Sequence, residues 1–91
     1  MDFEWDEIKA RSNIRKHHVS FHEALSLFAD PLARMHDDPD HSLYEHREII
    51  VGYSEKHRLL VVSFTERVDR VRIISARKAT RWERIKHEEN Q

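Results

Sequence analysis

Three β-branched, apolar runs follow one another in the middle of this chain with short connections between them, and that spacing restricts the fold more than any other feature. The runs fall in residues 47–54 (core Glu48-Ile49-Ile50-Val51-Gly52-Tyr53), 59–65 (Leu60-Val61-Val62-Ser63-Phe64) and 70–76 (Val71-Arg72-Ile73-Ile74). Residues 55–58 and 66–69 separate them. Parallel neighbours need a crossover of roughly a dozen residues or more, so connections this short predict hairpins and an antiparallel meander. The middle run is the most apolar, which suits a central strand.

The flanking segments predict the rest. Phe3-Glu4-Trp5 alternates and reads as a short edge strand. Asp6 can cap a helix running to about residue 17. Ser20-Phe21-His22-Glu23 fits a capping box, and Val19 and Ala24 occupy the two positions of a hydrophobic staple. A helix over 21–29 then buries Phe21, Ala24, Leu25 and Phe28 and stops at Asp30-Pro31. Residues 32–36 can form another strand, and 37–42 read as loop. Thr80-Arg81-Trp82-Glu83 is a second capping box, opening a helix to about residue 89 with Trp82 and Ile85 as anchors. The expected fold is α+β over one domain, residues 1–91. It has two N-terminal helices, an antiparallel sheet (the three-stranded meander plus one or two short edge strands) and a C-terminal helix.

Apolar residues make up 38% of the chain and charged residues 36%, which predicts a thin core under a highly charged surface. A chain this short buries about 60–65% of its unfolded surface, so a partner covering apolar area would add stability. With no Cys, disulfides and thiolate metal sites are excluded. No apolar run approaches the ~20 residues of a membrane span, and no segment reads as a signal peptide, so a cytoplasmic protein is expected. The formal charge of −1 argues against a simple polycation; any nucleic-acid contact must come from a local patch.

One such patch is the end of the third run, Arg72, Ser75, Arg77 and Lys78. Cations on a rigid strand can hold a phosphodiester and stabilise charge on its phosphorus. A regular strand places Ser75 and Arg77 with Val71 and Ile73, and Arg72 on the other face with Ile74. The two guanidinium groups then meet only if the strand twists or bulges. A second patch is Lys9, Asn13, Lys16 and His17, spaced i, i+4, i+7 and i+8 and so on one helix face. It reads equally as the wet side of an amphipathic helix. A third is His41, Glu45 and Arg47, a set able to move protons at neutral pH and stabilise a transition state, or simply a polar loop entering a strand. His36, Asp37, Asp38, Asp40, His41, Glu45 and His46 are dense in nitrogen and oxygen ligands but match no metal-binding spacing, so neither a metal nor another cofactor is expected.

Taken together, Phe3-Glu4-Trp5-Asp6, Lys9, Asn13, Lys16-His17, Val19-Ser20-Phe21, Glu23-Ala24 and Phe28 with Asp30-Pro31 resemble the opening of the BrnT toxins. So do His41-Ser42, Glu45, Arg47, Gly52, Thr65-Glu66-Arg67 and above all the stretch from Arg72 to Thr80 with Glu83. The likeness runs from Phe3 to about His87. It implies the toxin half of a type II toxin–antitoxin module: a ribonuclease that arrests translation and has a fold similar to the RelE toxins. The His41, Glu45 and Arg47 set itself suits RNA cleavage that needs no metal. The likeness also implies a BrnA-like antitoxin that binds the operator DNA and joins the toxin in a heterotetramer. The family-like positions are His41, Glu45, Arg47, Arg72, Ser75 and Arg77 in the sheet half, and Lys9, Asn13, Lys16 and His17 in the helical half. The chemistry of these residues and their position near strand ends suggest that Arg72 and Arg77 hold the scissile phosphate, while His41 or His17 with Glu45 moves protons. One departure is His18, where the family often has Gly. The alternative function is a non-catalytic binding module, or an inactive relative that only binds its antitoxin.

Overall fold

The computed structural model describes residues 2–39 and 46–90. In chain order the elements are β1 (Asp2–Glu4), α1 (Glu7–His17), α2 (Phe21–Leu25), a 3-10 turn (Ser26–Ala29), β2 (Arg34–Asp37), β3 (Glu48–Tyr53), β4 (Leu59–Glu66), β5 (Arg70–Lys78) and α3 (Arg81–Glu89). One five-stranded sheet runs in the order β1-β5-β4-β3-β2, with the apolar β4 at its centre.

The expectation of two N-terminal helices over an antiparallel sheet is corrected. The sheet is mixed, because β1 pairs parallel to β5, with Phe3 opposite Val71. Among the described residues there are three α-helices, and the helix expected over 21–29 divides. After five residues it tightens into a 3-10 turn at Ser26, whose hydroxyl donates to the Glu23 carbonyl at 2.6 Å and accepts the Glu55 amide at 2.8 Å. That tie to the β3–β4 connection holds the last turn in its tighter form.

The parallel pairing follows from the path of the chain. Asp6 caps α1 directly after β1, accepting the amides of Ile8 and Lys9 at 2.8 and 3.2 Å. The helix then continues along β5 in the direction β1 has taken, so that β1 lines the strand to Arg72 and Asn13 reaches Ala76. Phe3 secures the short strand by stacking on Phe28 at 5.1 Å, and Phe28 in turn meets Phe64 at 5.1 Å.

The core lies between the sheet and the first two helices. Val19, Phe21, Ala24 and Leu27 pack on Ile50, Leu60, Val62, Phe64, Val71, Ile73 and Ala76. Within it sits a carboxylate: Glu23 is 1% exposed. It accepts the Ser54 hydroxyl at 2.6 Å and Arg58 Nε at 2.9 Å, and a second guanidinium nitrogen of Arg58 binds its other oxygen. The Arg58 hydrogen bonds hold Glu23 below the usual carboxylate range against the opposing effect of burial. Because Arg58 also donates to the His18 carbonyl at 3.1 Å, this ion pair joins α1, α2 and the β3–β4 turn. The single glycine, Gly52, is required for close approach: a Cβ there would lie 2.9 Å from the Ala33 Cβ.

His18 occupies the left-handed cap that ends α1, at φ 59° and ψ 32°. Its amide closes the helix on the Ile14 carbonyl at 2.9 Å. A side chain at this conformation costs about 1 kcal/mol that glycine avoids. His18→Gly is therefore expected to raise stability by about 0.5–1 kcal/mol, read from the urea midpoint at constant slope; an unchanged or lower midpoint contradicts the strain argument.

Candidate functional site

β5 carries a bulge. Ser63 of β4 pairs with Ser75, but the next residue, Phe64, pairs with Ile73, leaving Ile74 as the extra residue. The inserted residue shifts the inward positions from Val71 and Ile73 to Ala76, all three buried. Arg72 and Arg77 consequently share the face of the sheet opposite α1 and α2, where a regular strand would have divided them.

α1 brings its cations to the same bulge. Lys9, Ser12, Lys16 and His17 line a cleft of about 180 Å³ with Ile74 and Ser75. Arg72 does not line this cleft, but its charge reaches Asp6 at the N-cap of α1. The Asp6 carboxyl is held below its usual range first by the Lys9 amide and then by the Ile8 amide, and the charges of Lys9 and Arg72 add to the effect.

Asn13 belongs to the predicted cationic face but serves the fold. It is 6% exposed. Its amide nitrogen donates to the carbonyls of Val19 (2.9 Å) and Ala76 (2.8 Å), and its oxygen accepts the Ala76 amide at 3.1 Å. The side chain mimics a peptide unit and pairs the β5 edge where β1 has ended.

Arg77 is held in a bidentate ion pair. Its two terminal nitrogens donate to the Glu83 oxygens at 2.7 and 2.9 Å. Glu83 closes the capping box of α3 as well, accepting the Thr80 amide at 2.8 Å. Chiefly through the Arg77 hydrogen bonds, its pKa falls to about 2. Lys78 ends β5 exposed, and its carbonyl receives a further Arg77 N–H at 3.3 Å.

Of the remaining candidates, only Arg47 falls among the described residues. Arg47 is half-buried just before β3, and its carbonyl accepts the Asp38 amide at 3.0 Å. His41 and Glu45 fall outside the described residues. His46 lies 3.5 Å from Asp37. Among the described residues no three His, Asp or Glu side chains cluster as a metal site. The anchors expected for the last helix are corrected: Trp82 is 66% and Ile85 43% exposed. The helix turns Glu83 and His87, one turn apart, toward the sheet instead, because the Arg77 ion pair sets its rotation. Glu83 and His87 are the site residues that sequence reasoning missed. The capping box pointed to Glu83 only as a helix start.

These features describe a small α+β protein that gathers cations from a helix and an adjoining bulged strand around a cleft suited to a polyanion. A family profile described as ribonuclease toxin, BrnT, of type II toxin–antitoxin system matches residues 5–83, and the chain belongs to that family. Its fold is similar to the crystal structure of the Brucella abortus ribonuclease toxin BrnT, with a TM-score of 0.66 and 23% identity over 89% of this chain and 99% of that one. No curated protein matches the chain.

Two outcomes follow from this geometry. Asn13→Ala strands the amide and carbonyl of Ala76 and is expected to cost about 3 kcal/mol in denaturant unfolding; a loss well under about 1 kcal/mol would show that another group pairs that edge. Glu83, with its pKa lowered from 4.5 to about 2, stabilises the fold fully above the unfolded value and ceases to do so as pH falls through the folded one. Urea midpoints from pH 6 to 2 should therefore drop more steeply for the natural chain than for Glu83→Gln below about pH 4.5. Parallel curves would mean that the ion pair is lost in solution.

Proposed function

We propose that this ribonuclease toxin cuts RNA without a metal ion, using the seam between α1 and the β5 bulge together with the adjoining open face of the sheet. The convergence of the α1 cations with the bulged strand in one cleft is the observation that carries the reading. Lys9, Lys16 and Lys78 attract the backbone phosphates around the cut. Arg72 and Ser75 hold the scissile phosphate. Arg77 is electrically balanced by Glu83, so it acts through its remaining N–H donors and by fixing the wall beside the phosphate.

The chemistry uses the RNA's own 2′-hydroxyl. A general base, assigned to His17 in the cleft, takes its proton as the oxygen attacks phosphorus. The bond to the 5′-oxygen breaks, and an acid, assigned to His41 or Glu45, protonates the leaving group. The products are a 2′,3′-cyclic phosphate and a 5′-hydroxyl. Arg72 offsets the charge that builds on the phosphoryl oxygens, with Arg47 as a supporting cation. In the cell the cut stops translation in the cytoplasm. A BrnA-like antitoxin covers the toxin in a heterotetramer and carries operator-DNA binding, so the toxin meets DNA only through it. No described helix is long and apolar enough to cross a membrane.

One observation favours a second reading, an inactive relative that only binds its antitoxin: both terminal nitrogens of Arg77 are already engaged by Glu83. Purified protein and a synthetic RNA in EDTA separate the two. The proposal expects cleavage to persist in EDTA and to end in cyclic phosphate. Arg72→Ala should slow it about hundredfold or more with the fold intact by circular dichroism. Lys16→Ala should weaken RNA binding and flatten its salt dependence. Loss of cleavage on chelation refutes the metal-free mechanism. No cleavage by the folded chain, including Glu83→Gln with Arg77 released, leaves the binding-only reading.

A further inference from the structure

A groove of about 340 Å³ lies under α3 on the open face of the sheet. The apolar side chains of Ile49, Val51 and Val61 line it on the sheet side, with Asp37 at the β2 end. Trp82 and His87 of α3 make one wall, and Arg34 of β2 stands in the other. The Arg77–Glu83 pair also lines it, so it adjoins the row of Arg72, Ser75 and Arg77 along β5.

Two details show that it is more than a packing gap. His87 is 5% exposed, and its Nε2 is buried with no hydrogen-bond partner among the described residues. A polar atom left so is costly unless something pairs it. Desolvation holds this imidazole below its ordinary pKa, with Arg34 and His36 acting in the same sense and Asp30 and Glu88 against it. Burial thus favours the neutral form of His87, which has one donor and one acceptor nitrogen. At the mouth Trp82 is 66% exposed, with the Lys86 ammonium 5.4 Å from its ring centroid. An aromatic surface, an apolar slot, an unpaired imidazole and cations at the rim are what a nucleotide requires for its base, base edge and phosphate.

We infer that this groove binds one nucleotide of the RNA strand, next to the phosphate held on β5, and that it selects where the strand is cut. The inference rests on the ribonuclease reading. Small-ligand clefts begin at about 300 Å³, so this groove takes a single nucleotide. The base lies on the valine side chains with its edge toward His87, and Arg34 and Lys86 face the sugar–phosphate.

The test is an NMR titration of the intact protein with each of the four nucleoside 5′-monophosphates and, separately, with inorganic phosphate. The Trp82 indole and the Val51 and Val61 methyl signals should shift saturably with at least one nucleotide and not with phosphate. Trp82→Ala, at an exposed position that leaves the fold intact, should weaken binding about tenfold. Val61→Trp, which fills the slot, should abolish binding and change the pattern of sites cut in a mixed-sequence RNA. Silent groove signals in a protein that cuts RNA, with the pattern unchanged in both variants, overturn the inference and leave the nuclease standing. Groove signals that respond in a protein that cuts no RNA keep the nucleotide site and sink the nuclease. An acidic peptide is titrated in parallel, and groove signals that move with it alone assign the surface to a protein partner and overturn the inference as well.

Discussion

The side-chain amide of Asn13 holds α1 to the edge of β5, and the arrangement of the cations depends on that contact. β1 is three residues long and lines β5 only as far as Arg72. Beyond that point the edge has no strand beside it, and a buried peptide group without a partner is costly. Asn13 pairs with both the amide and the carbonyl of Ala76, and with Val19 it also fixes the turn after the helix. Lys9 and Lys16 stand about one helical turn to either side of Asn13, so fixing Asn13 sets both ammonium groups along the seam. The bulge at Ile74 lies within two residues of this contact and turns the strand so that Arg72 and Arg77 share a face. A clamp and a bulge, both local, thereby place two sets of cations against one strand.

The buried Glu23–Arg58 pair has a different place. Removing Arg58 would leave the Glu23 charge without compensation in the core, a loss of about 3–5 kcal/mol, although such pairs add little over an apolar replacement. Its role is to specify geometry. By joining α2, the β3–β4 turn and the end of α1, it settles the angle at which the helical layer lies on the sheet. The thin apolar core gives no such directional constraint.

The parts legible in the sequence are those governed by neighbours. The N-caps at Asp6, Ser20 and Thr80 and the hairpin runs obey rules that act over a few residues, and each lies where those rules place it. The parallel pairing of Phe3 with Val71 does not, because a three-residue strand carries no record of direction and its partner is far along the chain. The bulge was legible only as a possibility: the adjacent Ile73 and Ile74 break the alternation, but only the register against β4 shows that Ile74 is the extra residue. The polar character of Asn13 and Arg77 was legible, but their engagement in the fold was not, since Ala76 and Glu83 become their partners only in the folded chain. Trp82 misled because size suggests burial, whereas the Arg77–Glu83 pair turns the helix and exposes the ring.

That ion pair also couples two surfaces of the protein. Arg77 belongs to the strand that bears Arg72 and Ser75, whereas Glu83 belongs to the helix that roofs the groove. Any movement of α3 must stretch the pair or carry Glu83 away, and in either case it releases positive charge on the open face of the sheet. Conversely, a phosphate drawing on Arg77 competes with Glu83 and loosens the wall of the groove. In a chain of formal charge −1, three acids near the sheet and its helices are engaged in place: Asp6 in the cap of α1, Glu23 in the core and Glu83 on Arg77. Among the described residues, the cations along α1 and at Arg72 have no such dedicated bidentate partner, so the seam stays positive while the whole molecule is near neutral.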